Sequence, residues 1–236
     1  MKKHIFAFTL LMAVLLPSCD TLRQAADDYL NEPTLAEIGL GLKQALEFGI
    51  SEGANVLSKR DGYFKSIYKI YLPDEARVVT DRLKVIPGFS NLEEIILEKL
   101  NRAAEDAAES AAPIFVDAIR EMTFNDAMGI LMGPDDAATQ YLNQKTFQPL
   151  YDEFRPVIVT SLNKFNAIQY WADAVNVYNK IPFMEKVNPN LDEYVTEKAL
   201  EGLFSMVAKK ELGIRNDISQ RTTDLLKKVF AKQDRQ

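Results

Sequence analysis

An apolar stripe with helical spacing recurs along nearly the whole chain, and it restricts the fold more than any other feature. Recurrence at every third or fourth position places apolar residues on one face of a helix. The chain shows no strand-length alternation and no repeat of fixed period. We therefore expect an all-α single domain, an irregular bundle of roughly eight to ten helices, some of them kinked at prolines. The first stripe consists of Leu35, Ile38, Leu42, Ala45, Leu46 and Ile50.

Helix starts are marked by a polar residue followed three positions later by an acidic one. This spacing is typical of a capping box, in which the two residues satisfy each other's backbone N–H groups. Three pairs have it: Thr34 with Glu37, Ser90 with Glu93, and Thr123 with Asp126.

Interruptions of the helical pattern predict the turns. Asp61-Gly62 indicates a turn, since glycine adopts positive φ at little cost. Pro113 predicts a break, and Pro149 and Pro156 predict boundaries or kinks in a long helical stretch. Residues 67–73, IYKIYLP, favour a short extended piece, although no partner strand is evident.

The N-terminus has the pattern of a secretory signal peptide, which we assign to residues 1–18. Lys2 and Lys3 precede an apolar run from Ile5 to Leu16, and a small residue, Ser18, follows. The run is too short to span a bilayer, which takes about 20 residues.

The junction Leu16-Pro17-Ser18-Cys19 resembles a bacterial lipobox, with Leu three positions before the cysteine. The resemblance implies that Cys19 carries a diacylglyceryl group, becomes the first residue and is then N-acylated. Two or three acyl chains would anchor the protein stably to a membrane. We expect the protein to lie on the periplasmic side of the envelope, at the outer membrane rather than the inner. Residues 19–33 would form a polar tether, and residues 34–232 would form the helical domain. The alternative is ordinary cleavage that leaves Cys19 as a free thiol.

Loss of the signal peptide also removes His4, the only histidine. Catalytic triads with a histidine base and zinc sites built on histidine are then excluded within one chain. Carboxylate acid–base chemistry, Lys or Tyr chemistry and oxygen-ligated ions remain. The net charge of −6 without a basic tract argues against nucleic acid as a partner. We predict no cofactor and no metal.

Several stretches, taken together, resemble the uncharacterised bacterial envelope family known as domain of unknown function number 4197. The resemblance implies a helical, secreted or envelope-attached domain of Gram-negative bacteria, and it assigns no catalytic residue. The stretches are Arg60–Tyr63, Leu100–Glu105, Pro113–Ile119, Met122–Phe124, Asp135–Tyr141, Tyr194–Thr196, Lys198–Leu200, Gly202–Phe204 and Arg221–Leu226.

Acidic residues between positions 117 and 136 are the first candidates for chemistry. Asp117 and Glu121 lie one helical turn apart and suggest an acid–base pair or an ion site; the alternative is a surface salt-bridge cluster with Arg120. A second set, Asp126, Asp135 and Asp136, would bind an ion if it converged; the alternative is that these residues cap helices.

Two apolar features are also candidates. Trp171, with Tyr170 and Tyr178, would line a ligand groove or belong to the core. The C-terminal stretch RTTDLLKKVF would form a basic amphipathic helix that touches a membrane or partner, or docks on its own domain.

These observations favour a non-catalytic interaction or scaffold module anchored to the membrane, with an envelope protein as partner. The alternative is a helical carrier of a lipid or other apolar ligand in a cavity between helices. A carboxylate-based hydrolase is a third hypothesis, and it requires two carboxylates in one concave pocket.

Overall fold

The computed structural model describes residues 32–164, 166–187 and 190–231. Within those ranges the chain forms nine α-helices, one short 3-10 helix and no β-strand, so the all-α prediction is confirmed. None of these helices is both long and apolar enough to cross a bilayer. The helices are α1 (Leu35–Leu57), α2 (Asp74–Leu83), α3 (Leu92–Ala108), α4 (Ala111–Glu121), α5 (Phe124–Leu131), α6 (Ala137–Lys164), α7 (Ala167–Tyr178), α8 (Asp192–Asn216) and α9 (Asp224–Phe230), with the 3-10 helix at Ile218–Gln220.

Helix α8 occupies the centre of the bundle and packs against α6, α1 and α3. Its residues Val195 and Leu203 are fully buried, as are Phe154 of α6 and Ile50 of α1. One continuous set of buried apolar side chains includes members from all nine helices. A single core of this kind accounts for a single domain.

Two of the three predicted capping boxes are confirmed. Thr34 Oγ1 accepts from the Glu37 N–H at 3.2 Å, and Glu37 Oε2 accepts from the Thr34 N–H at 2.8 Å. Thr123 and Asp126 make the same pair of bonds, at 3.2 and 3.0 Å, where α5 begins.

The predicted box at Ser90 and Glu93 is wrong. Helix α3 begins at Leu92, and the preceding residue, Asn91, makes no side-chain capping bond. The Leu92 N–H donates to the Phe89 carbonyl at 3.1 Å. Because this turn leads directly into the helix, Ser90 does not occupy the capping position.

The turn predicted at Asp61-Gly62 is present, but its conformation differs from the expectation. Asp61, not Gly62, has positive φ, at 70°, a conformation that aspartate tolerates better than most residues. Glycine is required for another reason: a Cβ on Gly62 would lie 2.5 Å from the carbonyl oxygens of Val56 and Leu57.

The three prolines behave differently. The break predicted near Pro113 occurs at residues 109–110, and Pro113 lies in the first turn of α4, where backbone N–H groups have no partner within the helix. Pro149 and Pro156 lie inside α6 and neither is a helix boundary.

The C-terminal helix α9 docks on its own domain, against α1. Leu226, Val229 and Phe230 are buried, and Lys228 Nζ pairs with Glu37 Oε1 at 2.7 Å. The Lys228 ammonium, with hydrogen bonds from Thr34, lowers the pKa of Glu37 to about 2. Of the two predicted roles for this stretch, docking is confirmed.

Candidate functional site

The acidic pair predicted on α4 lies on the surface. Asp117 and Glu121 are both exposed. Asp117 Oδ1 pairs with Arg120 NH1 at 3.1 Å, with side chains 74% and 71% exposed. An ion pair this exposed typically contributes between 0 and about 1 kcal/mol to stability. The arrangement is therefore the surface salt bridge that the sequence left as the alternative.

The second acidic set serves local structure. Asp126 forms the capping box with Thr123, and the hydrogen bonds from Thr123 lower the pKa of the Asp126 carboxyl. Asp136 Oδ1 accepts from Gln140 Nε2 at 2.9 Å, and Asp135 is exposed. No group of three or more His, Cys, Asp or Glu side chains in the described ranges could hold a metal ion.

Trp171 leads to a different site. A groove of about 590 Å³ lies between α2, α7 and the segment that leads into α8. Trp171 and Tyr178 of α7 line it although they are only 1% and 2% exposed. Val78 of α2 and Leu191, just before α8, add aliphatic surface. A concavity of this size and character falls within the range of small-molecule sites, about 300–1,000 Å³.

An asparagine of α3 holds the first irregular segment of the groove wall. Asn101 Nδ2 donates to the Ile70 carbonyl at 2.9 Å, and Asn101 Oδ1 accepts from the Ile70 N–H at 2.8 Å. The side chain thus makes the pair of bonds that a neighbouring strand would make. Pro73, three residues on, lines the groove. The chain forms a turn at residues 67–68 and no regular element at 69–73, so the predicted extended piece is not a β-strand. A buried amide pairs with Ile70 in place of a partner strand.

A second asparagine holds the opposite segment in the same way. Asn179, directly after α7, donates from Nδ2 to the Val187 carbonyl at 3.2 Å and accepts from the Val187 N–H at 3.0 Å. Val187 itself lines the groove. Tyr194 of α8 completes the frame, because its hydroxyl donates to the Tyr71 carbonyl at 2.9 Å. Irregular backbone on both sides of the groove is thus fixed by side chains.

The indole N–H of Trp171 is buried and has no hydrogen-bond acceptor. Every other buried side-chain N or O in the described part of the chain has a hydrogen-bond partner. A second, smaller space of about 40 Å³ adjoins the indole and also touches Leu100, Leu162 and Leu191. Leaving a buried donor unpaired costs about 1–3 kcal/mol. The indole N–H is therefore an unpaired donor that lies beneath the surface of the groove wall.

The charges at the groove are of both signs. Glu75 and Glu185 line it together with Lys186, and all three residues are exposed. Two carboxylates face one ammonium, so the opening does not favour an anion.

Phe183 stands out beside this wall. Its backbone has a φ of 66°, and the residue is fully exposed to solvent, at 106%. The left-handed conformation costs a residue with a Cβ about 1–2 kcal/mol, and full exposure adds the cost of leaving a large apolar side chain in water. Both features mark Phe183 as a candidate contact residue.

Sequence reasoning identified Trp171 but missed Asn101, Asn179 and Phe183. A signal for Asn101 existed, since it lies among apolar residues of α3 and a buried amide needs partners. The partner, Ile70, is not deducible from the pattern. Nothing in the local sequence distinguishes Phe183 from a core aromatic.

The chain matches a known protein family. A family model described as "Protein of unknown function (DUF4197)" matches residues 32–231, which is nearly the whole described chain. No curated protein and no solved structure matches.

Proposed function

Since this chain belongs to the DUF4197 family, whose function is unknown, we propose a function from its own geometry. The protein is a non-catalytic binding module that carries an apolar ligand. Lipid on Cys19 holds it on the periplasmic side of the envelope. The observation that supports it is the groove of about 590 Å³ with Trp171 and Tyr178 in its wall. A carrier needs a concave apolar site between helices, and this groove supports the proposal for that reason.

The anchor is the second part of the proposal. Residues 1–31, with the signal peptide and Cys19, lie outside the described residues, and lipidation and an outer-membrane location are predictions from the lipobox resemblance. The lone cysteine supports them, because a thioether needs no partner thiol.

The groove and the tether attachment lie at opposite ends of α1. Helix α1 runs antiparallel to α8, since a Cβ on Gly53 would lie 2.9 Å from Met206 and one on Gly49 would lie 3.3 Å from Lys210. The groove is at the start of α8, and Thr34, where the tether joins, is at the other end. An anchored domain would thus present the groove away from its point of attachment, where it is open to exchange of ligand.

The carboxylate hydrolase has no such support. It requires two carboxylates in one concave pocket; Glu75 and Glu185 both line the groove but are exposed to solvent, and none of the five predicted carboxylates lines it.

Native mass spectrometry of the protein extracted from its own membranes in mild detergent tests both parts. We expect an acylated mass at Cys19 and a discrete small-molecule adduct. In the variant Val78→Glu, a charge in the groove should lower the adduct fraction at least about tenfold, since burying an unpaired charge beside an apolar ligand is costly. Val78 is 45% exposed, so the domain itself should tolerate the change.

Val85→Glu is the matched control, because Val85 is 81% exposed and does not line the groove. This variant should keep the adduct. Equal adduct fractions in the two variants would place the ligand elsewhere and refute the groove as carrier site. A mass without acyl chains would refute the anchor.

The second candidate is a scaffold that binds an envelope protein, and Phe183 favours it. Exposed aromatic anchors dominate many protein interfaces. If this function holds, Phe183→Ser should remove a co-purifying protein and reduce its affinity at least about thirtyfold, the loss expected at a hot spot, while the small-molecule adduct stays. Unchanged co-purification would rule out Phe183 as the contact.

A further inference from the structure

We propose that Phe183 is a membrane-docking side chain, which enters the surface of a lipid bilayer and brings the groove to that surface. The inference deepens the proposed function, since it names the surface with which the groove exchanges ligand, and it rests on the lipid anchor of that function. Three features support it: a closed loop around Phe183, an aromatic ring that this chain does not cover, and the reach of the tether.

Phe183 lies at the middle of a closed loop. The side chain of Asn179 bonds both backbone groups of Val187, eight residues further on, and Phe183 is halfway between them. At the start of the loop the Ile181 N–H donates to the Tyr178 carbonyl at 2.9 Å. The loop is therefore fixed at its base, and the exposed Phe183 is its tip.

The neighbours of Phe183 hold the tip in place but do not cover it. Ile181 and Met184 are half-buried and pack against the core, whereas Phe183 is fully exposed. Its left-handed φ is strained for a residue with a Cβ, and an apolar ring in water is unfavourable. Burial of the ring in a surface outside this chain would offset both costs.

A bilayer suits this loop better than a protein partner does. A stable protein interface buries about 800 Å² on each side and needs a matching surface. Here one ring projects, while Ile181 and Met184 beside it pack against the core. The fluid surface of a bilayer accepts a projecting ring without a matching shape, and phenylalanine is common among side chains that enter the membrane interface.

The charges of the loop do not select among lipids. Lys180 precedes the tip, Glu185 and Lys186 follow it, and all three residues are exposed. The lysine side chains are long enough to keep their ammonium groups at the level of lipid head groups while the ring lies deeper. Because both signs are present and both are in water, docking should not require an anionic lipid.

The tether is long enough to let the loop reach the membrane that holds the anchor. Val187 and Leu191 line the groove at the start of α8, the end of the domain away from Thr34. Helix α1 has 23 residues and is about 35 Å long, whereas residues 19–33 reach up to about 50 Å. The groove end can therefore turn towards that membrane. A tether of this kind gives an effective concentration on the order of millimolar, so a weak contact by one ring is sufficient.

The test measures fluorescence of the full, membrane-extracted protein in vesicles of phosphatidylcholine brominated on its acyl chains, with unbrominated vesicles as the reference. In Phe183→Trp the added indole reports on the tip of the loop, and the fully exposed position should tolerate the change. We expect a blue shift of its emission in unbrominated vesicles and a loss of intensity in brominated ones, because bromine quenches an indole on contact. The unmodified protein, whose Trp171 is buried, gives the background.

Ile218→Trp is the matched control. Ile218 is 61% exposed and lies just beyond the far end of α8. That helix has 25 residues, so about 37 Å separates its two ends. The control should keep its intensity in brominated vesicles. Quenching at position 218 with none at position 183 would mean that the tether end rests on the membrane, and it would overturn the inference.

The outcomes separate this inference from the proposed function. Flotation of the vesicles tests the anchor, and protein that does not float with them overturns both the anchor and the docking. Protein that floats without quenching at position 183 overturns the docking and leaves the carrier, which the small-molecule adduct tests independently. If position 183 is shielded from acrylamide in the water but is not quenched by bromine, its contact is a protein. That result also overturns the docking and favours the scaffold.

Discussion

Replacing Glu211 with glutamine should lower the free energy of unfolding by about 3–5 kcal/mol, the usual loss when one partner of a buried ion pair is removed. Glu211 and Arg215, one turn apart on α8, have side chains only 5% and 2% exposed, and Arg215 NH2 lies 2.8 Å from Glu211 Oε1. The glutamine has nearly the same volume, so the change leaves an uncompensated guanidinium in the core without creating a cavity.

The pair also connects three helices, which enlarges the effect. Glu211 accepts from the N–H groups of Ala138 and Thr139 at 2.9 and 2.8 Å, at the start of α6. Arg215 NH2 donates to the Ile130 carbonyl at 2.8 Å, near the end of α5. The two side chains therefore satisfy helix-terminal groups that have no partner within their own helices.

Urea unfolding followed by far-ultraviolet circular dichroism measures the loss. The matched control is Asp117→Asn, which breaks the exposed pair with Arg120 and should cost no more than about 1 kcal/mol. If the two variants unfolded at the same urea concentration, the buried pair would not have the structural role that its geometry indicates.

The helices of this fold can be predicted from the sequence because each helix has to bury one face. The stripe of α1 shows this well: Ile38, Leu42 and Ile50 are buried as expected. Leu35 is the exception, at 56% exposure. It is the first residue of the helix, where a periodic pattern carries no information about whether a neighbouring element covers it.

The burial of charged residues in the core cannot be predicted in this way. In the sequence KKELGIRN, Glu211 and Arg215 have the spacing of an ordinary surface pair. They are buried because the turn between α5 and α6 is packed against them, and that packing depends on contacts across more than seventy residues. Local spacing predicts that the two charges meet and says nothing of the burial.

The candidate site was predictable only in its aromatic part. Trp171 belongs to a helical stripe, so its position on α7 follows from periodicity. The groove around it depends on two segments without regular structure, one near Ile70 and one near Val187. Each is fixed by a single asparagine, and no pattern in the chain pairs those asparagines with their partners.

Replacing Asn101 with leucine should therefore be the second large perturbation, lowering the free energy of unfolding by about 2–6 kcal/mol. Asn101 is fully buried, and the change orphans both backbone groups of Ile70, itself 3% exposed. Each buried group left unpaired costs about 1–3 kcal/mol. Urea unfolding measures the total loss of stability. Amide hydrogen exchange shows where the structure opens, and we expect the Ile70 N–H to lose its protection from exchange.

The control is Asn176→Leu on the exposed face of α7, which makes the same chemical change without burial and should shift stability by less than about 0.5 kcal/mol. If the Ile70 amide stayed protected in Asn101→Leu, the segment would be held by its apolar contacts alone. If protection is lost and ligand binding falls with it, the asparagine stabilises the groove as well as the fold. A chain without a β-strand in its described part would then depend on one buried amide to give its binding groove a fixed wall.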